Sequence, residues 1–497
     1  MFATILIVIP FLFALLAWIV PGQSKKIALG GTLLQAVFTV YVITQFDPWF
    51  LPLDQGGDLN NVGHLFESRF NWIAAFNIDY FVSIDGISLL MLILTNGLMP
   101  LIVLSTFGRK LSDDKGLYTL ILIMQSALIG VFVAQDAFLY YVFWELALIP
   151  IYFIILIWGG ENRKPVTIKF FIYTLAGSLM MLVAIIYQYQ LSGAKGFSWE
   201  IFAGTRLSLS NQTFILFCYG LAYAIKIPIF PFHSWQPPTY TTAPTAGTML
   251  LSAIMLKMGI YSIVRWILPV VPNAVEEYNY WIISFTIIGI VYSSWIAIKT
   301  THIKRLFAFS SMAHVGLIAA GAFTFSQGGI QGVMFQMLSH GIIAVGLFYI
   351  ADIIYDRFGS LEVSNLGGIR NASPAFASYF LIILFGSIAL PLTSGFIGEL
   401  LLLKALYEVE WWMAAAAGLT IIFGAVYMLR IFHQAMHGDS TEQTSNFKSL
   451  TRNEHLVLFS ISALVLFLGL RPQYILNLTE FSVQHILDVL STKARIL

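Results

Sequence analysis

Five ionisable side chains occupy positions deep inside apolar runs. Glu145 lies in the run 138–149 beside Trp144, Lys226 in 221–230, and Lys257 near the centre of 248–266. His340 stands ten residues into its run, and Glu399 shares a run with Pro391. Placing a charge at the centre of a bilayer costs roughly 2.5–3.5 kcal/mol on insertion scales, so such residues face other helices or water and mark ion pathways. A lysine held among apolar neighbours loses proton affinity and a buried carboxyl gains it, which lets both exchange protons near neutral pH. Carboxylate, amine, amine, imidazole and carboxylate, each on a different helix, form the inventory of a proton relay. A Glu–Lys pair on two helices also makes a switch, because separating the partners changes the proton affinity of each. Taken singly, any such group could be a private structural pair or a snorkelling side chain. That structural account is preferred for Arg265, Lys169, Lys404 and Arg430, which lie near run ends.

Two of the runs are interrupted beside these charges. Lys226-Ile227-Pro228 is followed by Pro231, and each proline removes an amide donor and frees the carbonyl four residues earlier, at Ala224 and Ile227. The second interruption, Leu390-Pro391-Leu392-Thr393-Ser394-Gly395, stands just before Gly398-Glu399. Broken backbone at membrane depth persists only where protein or water satisfies the freed groups. Paired interruptions in two halves of a chain point to an ion site. Pro228 and Pro391 are 163 residues and five runs apart. Five is odd, so a repeated five-helix unit must appear upside down in its second copy. A packing kink explains either proline alone, but less well when each lies beside a buried charge.

The elements that carry these groups follow from composition. Of 497 residues, 58% are hydrophobic and 10% charged, with 26 Lys+Arg against 25 Asp+Glu. An average soluble protein has roughly 25% charged residues. A soluble enzyme, a secreted disulfide scaffold and a nucleic-acid binder are excluded. The single cysteine, Cys218, closes no intrachain disulfide. No Rossmann glycine fingerprint, CxxCH haem motif or iron–sulfur cysteine set is present, and neither a metal site nor a redox cofactor is expected.

A helix needs about 20 apolar residues to cross the ~30 Å hydrocarbon layer. Fourteen such runs occur, near 2–20, 28–45, 80–107, 117–134, 137–158, 167–190, 212–230, 244–267, 279–298, 304–324, 330–354, 376–405, 411–433 and 454–470. The first lacks a basic leading segment and a small-x-small cleavage site, so it reads as a helix rather than a signal peptide. The expected fold is all-α and polytopic, with two inverted five-helix repeats, each holding a proline-broken helix. The division is 1–115 (three helices and an external loop), 116–268 (first repeat), 279–436 (second repeat) and 450–497 (last span and an amphipathic tail).

Loops after odd-numbered runs hold fifteen Lys or Arg, among them Arg109, Lys110, Lys304 and Arg357; even loops hold Arg69, Lys195 and Arg206. Positive charge stays on the cytoplasmic side, so both termini are expected on the outer face. The connection 46–79, with Asp47, Asp54, Asp58, Glu67 and Asp79, is expected outside as a loop or short hairpin. The segment 474–495 is expected as an amphipathic helix on the outer surface.

Several motifs, in order, identify a family. Trp144-Glu145 followed by Pro150, then Lys226-x-Pro228-x-x-Pro231-x-His233-x-Trp235-x-Pro237, then Ala243-Pro244-Thr245-Ala246-Gly247, then Ile303-Lys304-Arg305-Leu306 with Ser310-Ser311 and His314-x-Gly316 resemble the antiporter-like membrane subunits of respiratory complex I. That family also includes subunits of multi-subunit cation/proton antiporters and membrane-bound hydrogenases. The resemblance runs from about residue 80 to 430, and within the family it is nearest to the chain M (subunit 4) branch. The mark of that branch is Glu399 where sibling chains carry lysine, together with the end of the chain after fourteen runs.

The resemblance implies a proton-translocating subunit of NADH:quinone oxidoreductase. Glu145 and Lys226 are then the switchable pair, Lys257 the central relay, His340 a link along the hydrophilic axis, and Glu399 the terminal site. Flavin, iron–sulfur clusters and quinone are expected in partner subunits, and sibling antiporter-like chains on either side of this one. The expected location is a bacterial inner membrane. Two departures stand out: Gln236-Pro237-Pro238-Thr239-Tyr240 replaces the usual Leu-Pro-Asp-Ala-His, and His302 replaces an aspartate before Lys304. Ser310, Ser311, Tyr173 and Thr393 are hydroxyls that could complete a path, but each reads first as a packing residue. The alternatives are a secondary monovalent cation/proton exchanger and a scaffold whose charges only fix helix register.

Overall fold

The computed structural model describes residues 2–45, 65–109, 113–438, 444 and 447–494. Asp47, Asp54, Asp58 and Lys110 lie outside the described residues. The helices begin with α1 (Phe2–Ile19), α2 (Ser24–Gln45), α3 (Gly86–Ser105), α4 (Asp114–Val133), α5 (Ala137–Trp158), α6 (Arg163–Leu191) and the short α7 (Trp199–Gly204). The middle of the chain forms α8 (Leu209–Lys226), α9 (Gln236–Thr242), α10 (Thr245–Ile267), α11 (Pro272–Lys299), α12 (Ile303–Ala322) and α13 (Gln327–Phe358). The rest forms α14 (Pro374–Ser387), α15 (Ser394–Val409), α16 (Trp411–Met436), α17 (Arg452–Leu470) and α18 (Gln473–Ala494). Among the described residues, twelve helices are long and apolar enough to cross a membrane. The two remaining runs are the interrupted ones: α8, which ends at Lys226, and the pair α14 and α15.

Burial separates a core from a rim. The apolar window of α10 is wholly buried and those of α12 and α13 are 94% buried, whereas those of α1, α2 and α16 are 33% buried. Polar side chains on α10, α12 and α13 therefore face protein, not lipid.

The all-α polytopic expectation holds, with one local difference: the third run begins not as a helix at residue 80 but as the second strand of a short hairpin. Strands β1 (Leu65–Ile73) and β2 (Ile78–Ile84) pair antiparallel across a turn at Asn77, whose φ of 54° is left-handed. The β-branched and aromatic Phe81, Val82 and Ile84 bury their side chains there. Asp85 then starts α3 by accepting the Ser88 amide at 2.8 Å. Asp136 plays the same part for α5, accepting from Phe138 (2.9 Å) and Leu139 (3.0 Å), and it also holds the Asp79 amide of β2 at 3.3 Å. Burial outweighs these three donors and pushes the Asp136 carboxyl up to about 6. The amphipathic α18 is not merely a surface helix: Val483 and Ile486 are buried, and Ser482 Oγ accepts the Gly86 amide of α3 at 2.9 Å.

Both helix breaks solve their backbone problem in the same way. At the first, the Ile229 amide reaches the Ala224 carbonyl five residues back (2.9 Å), and the Trp235 indole donates to Ile225 O (2.9 Å). At the second, the Leu390 amide reaches Phe385 O, again five residues back (3.0 Å), and Thr393 Oγ1 donates to Leu390 O (2.6 Å). The carbonyl expected to be freed at Ala224 is thus the one that is re-used. The second break also requires glycine. A Cβ at Gly395 would collide with the Gly386 carbonyl oxygen, whereas one at Gly418 on α16 would meet nothing within 4 Å. Gly395→Ala is expected to cost about 1–3 kcal/mol by overpacking. It should lower the melting temperature of the assembled protein, with Gly418→Ala at wild-type stability or above; equal melting of all three proteins would refute the close-approach argument.

Candidate functional site

The deepest of the charges is Lys257, which is fully buried. It lies in α10 between two π-helical turns, Leu251–Met255 and Ile263–Ile267. Such turns misalign carbonyls from the regular ladder and recur at functional sites. Lys257 Nζ donates to Ser252 O at 2.7 Å and lies 2.7 Å from His340 Nδ1 on α13. An ammonium has three donors and no acceptor, so beside a charged lysine His340 Nδ1 accepts and the imidazole proton sits on Nε2. The His340 ring centroid is 6.2 Å from that of His314 on α12. His314 Nδ1 in turn is 2.8 Å from Glu399 Oε1 on α15, and Gln336 Nε2 donates to the same oxygen at 3.3 Å. Amine, two imidazoles and a carboxylate thus follow one another across four helices.

His314, Gln336, His340 and Glu399 line a small cavity of about 20 Å³, room for about one water. Ser311 Oγ, His314 Nε2, Gln336 Oε1 and Glu399 Oε2 have no protein hydrogen-bond partner. Buried polar atoms are normally satisfied, and a polar cavity of this kind is where ordered water satisfies them. Ser311, and Ser310 with its hydrogen bond from Tyr427 (3.0 Å), both line the cavity.

Glu145 and Lys226 lie apart from this chain. Lys226, the last residue of α8, is buried, with Nζ 5.1 Å from the centroid of the Trp144 ring. Glu145 is half-buried on α5, beside Ser178 of α6, and its Oε1 has no hydrogen-bond partner. The two charges form no ion pair within 4.0 Å. The lysine rests over an aromatic face, outside ion-pair distance of the carboxylate. Tyr140 and Tyr223 flank Trp144, each at 5.7 Å between centroids, and Tyr140 Oη bonds Ser262 Oγ on α10. An aromatic and hydroxyl layer therefore stands between the pair and the helix of Lys257.

The structure brings Lys257, His340 and Glu399 together and adds two residues that the first inventory missed, His314 and Gln336. His314 was detectable, because it too is an ionisable residue deep in an apolar run. Gln336 carries no charge and gave no such signal. Pro228 and Pro231 follow Lys226 directly, and Pro391 precedes α15 and Glu399. The charges assigned to structure have structural partners. Arg265 pairs with Asp85, Lys169 donates to Ser234 O at 2.9 Å, and Arg430 donates to Thr300 O at 2.8 Å. Lys404 sits 3.8 Å from Glu408 on an exposed helix face. Tyr173 accepts from Ser234 Oγ at 3.0 Å. His302 caps α12, accepting the Arg305 amide at 3.4 Å, and burial lowers its proton affinity. Among the described residues, no group of three or more His, Cys, Asp or Glu is arranged to hold a metal.

Residues 134–424 match the family described as NADH:quinone oxidoreductase/Mrp antiporter, TM. NADH-quinone oxidoreductase subunit M of Rickettsia typhi is 35% identical over 97% of this chain and 98% of its own length. Subunit M of Rhodobacter capsulatus is 34% identical over 94% of this chain and 91% of its own length. Among solved structures, a chain of respiratory complex I from Thermus thermophilus with bound NADH is similar at a TM-score of 0.87 and 26% identity, covering 99% of both chains. A chain of the Mrp complex from Dietzia shares the fold at a TM-score of 0.84 and 20% identity, over 99% of this chain and 98% of that one. The family match covers more than half of the chain and the relatives match over nearly all of it, so the chain belongs to the NADH:quinone oxidoreductase/Mrp antiporter membrane family.

Proposed function

We propose that this chain is the proton-translocating membrane subunit of an NADH:quinone oxidoreductase and carries no redox centre itself. The observation that supports this most is the Lys257–His340–His314–Glu399 line beside a polar cavity. Proton transfer requires donor and acceptor within hydrogen-bond reach or one water apart. One link is a hydrogen bond at 2.7 Å, the second is a 2.8 Å approach of His314 Nδ1 to Glu399, and the third, between the imidazoles, borders the cavity. The separated Glu145 and Lys226 supply the switch: moving the ammonium between the Trp144 face and the carboxylate changes the proton affinity of both groups. Flavin, iron–sulfur clusters and quinone belong in this reading to partner subunits. Sibling antiporter-like chains flank this one in a bacterial inner membrane, with both termini on the outer face. A secondary cation/proton exchanger is less favoured, because the oxidoreductase subunits match at 34–35% identity over nearly the whole length, whereas the Mrp complex chain of the same fold is 20% identical.

NADH-driven acidification of inverted membrane vesicles tests the reading. At equal content of assembled complex, Lys226→Ala is expected to lower acidification and quinone reduction together, by about tenfold or more, which corresponds to roughly 1.4 kcal/mol of added barrier. If both rates persist unchanged, the buried charges are architecture and the reading is wrong.

A further inference from the structure

The cavity that holds His314 and Glu399 has a wall that no part of the relay uses. Helices α12 and α13 run antiparallel there, and three matching layers can be followed inward from the end where the basic loops cluster. The outermost layer is ionic. Lys304 Nζ donates to Ala243 O at 3.2 Å and feels the charge of Asp352. Asp352 binds Arg109 at 2.7 Å and accepts from Thr245 Oγ1 at 2.5 Å, and its side chain keeps 17% of its surface exposed. One turn deeper lie Phe307 on α12 and Phe348 on α13, edge to face with centroids 6.0 Å apart. Tyr240 of α9 closes on Phe348 from the third side at 5.6 Å, and all three rings are buried. One further turn in, Ser311 and then His314 on α12, with Ala344 and then His340 on α13, open into the cavity. A rise of about 1.5 Å per residue puts each layer some 5–6 Å below the one before.

We propose that Phe307, Phe348 and Tyr240 form an aromatic gate between a partly exposed mouth at Asp352, with buried Lys304 beside it, and the proton-holding cavity of His314, His340 and Glu399. The proposal rests on the reading of the chain as a proton-translocating subunit. An apolar layer between two polar ones excludes water and hence a proton wire, and it conducts only when a ring swings aside. The ring best placed to move is that of Tyr240. It rides on α9, the piece beyond the first helix break, so displacement at Lys226 and Pro228 carries it. The gate would then open with the state of the Glu145–Lys226 switch, so that the cavity does not short-circuit to the mouth at every moment of the cycle.

The gate is tested by accessibility, without turnover. A reporter thiol is placed just below it by Ser311→Cys, a position whose hydroxyl has no protein partner to lose, in a Cys218→Ser background. Silver ion is added from the basic-loop side to membranes holding the whole complex without NADH, and its reaction with the reporter is followed by loss of later alkylation. Slow reaction is expected with the gate intact. A rate about tenfold higher, equivalent to roughly 1.4 kcal/mol of barrier removed, is expected with either Phe348→Ala or Phe307→Ala. The same variants should dissipate an imposed pH gradient faster than wild type. Two variants on facing helices are used so that misassembly of one leaves the other to decide. Fast reaction with both rings in place, or an unchanged rate and leak with either ring removed, overturns the gate. Absence of NADH-driven acidification by the wild-type complex would instead refute translocation, while the silver result would still report on the aromatic layer.

Discussion

Replacing Glu399 with glutamine is expected to stop proton flow through this chain while leaving it folded. Glutamine matches the carboxylate in size and still accepts from Gln336 Nε2, which lies 3.3 Å from Oε1. What it cannot do is bind and release a proton next to His314, whose Nδ1 is 2.8 Å away. General acid–base groups contribute about 10²–10⁴-fold to the steps they serve, so the loss of acidification should reach about 10²-fold if this chain is obligatory for turnover. Glu399→Asp restores the titrating group on a shorter stem. It should recover part of the rate, because the cavity beside Glu399 leaves room for water to bridge the added distance. The decisive measurement is NADH-driven acidification and quinone reduction in inverted vesicles for wild type, Glu399→Gln and Glu399→Asp, at matched complex content. A carboxylate that served only to fix helix register would let Glu399→Gln work normally. Wild-type rates in that variant would remove Glu399 from the proton path.

The separation of Glu145 from Lys226 gives this prediction a companion consequence. With Lys226 resting on Trp144, the first pair is not neutralised by direct contact. The second group, by contrast, is in contact at both ends, Lys257 with His340 and His314 with Glu399, and is interrupted only between the two imidazoles, which border the cavity. The two halves therefore differ in state although their broken helices share one backbone solution. A relay whose segments are made and broken in turn needs such a difference, because a line of contacts complete at every point would equilibrate the two sides of the membrane.

Much of this was legible in the residues. Lys257, His340 and Glu399 could be found because an ionisable group in an apolar run is costly, and the same criterion extends to His314. The helix breaks could be placed from Pro228 and Pro391, since the missing amide donor is a local fact. The beginning of α3 could not. The run 80–107 is apolar throughout, and only the packing of Phe81 and Val82 against neighbouring helices decides for a strand as far as Ile84. The cavity was not legible either. Its volume is what α12, α13, α14 and α15 leave unfilled when they meet, with Gly386 and Ser387 supplying small walls. Nor could spacing say whether Lys226 meets Glu145 or Trp144, because adjacent residues on α5 offer it two partners and only the rotamer chooses between them.

The largest effect on stability is expected from Arg265→Met. Arg265 is 3% exposed and pairs with Asp85, itself 6% exposed, while its Nε donates to Tyr261 Oη at 3.3 Å. Tyr261 Oη donates onward to Phe132 O at 2.8 Å, so one guanidinium ties together α3, α4 and α10. Methionine fills much of the same volume but leaves the Asp85 carboxylate buried without its cation, which costs about 3–5 kcal/mol. Asp85→Asn with Arg265→Met should recover most of that loss. Asparagine caps α3 as well as aspartate does, and it retains an oxygen for the Ser88 amide at 2.8 Å. Thermal dissociation of the solubilised complex, followed by size exclusion, measures both variants. A marked drop in the single variant, with recovery of stability and NADH-driven acidification in the double one, makes the pair a brace outside the proton path. If Arg265→Met instead assembles with wild-type stability and loses acidification, the brace is wrong and the guanidinium belongs to the route by which protons leave the cavity.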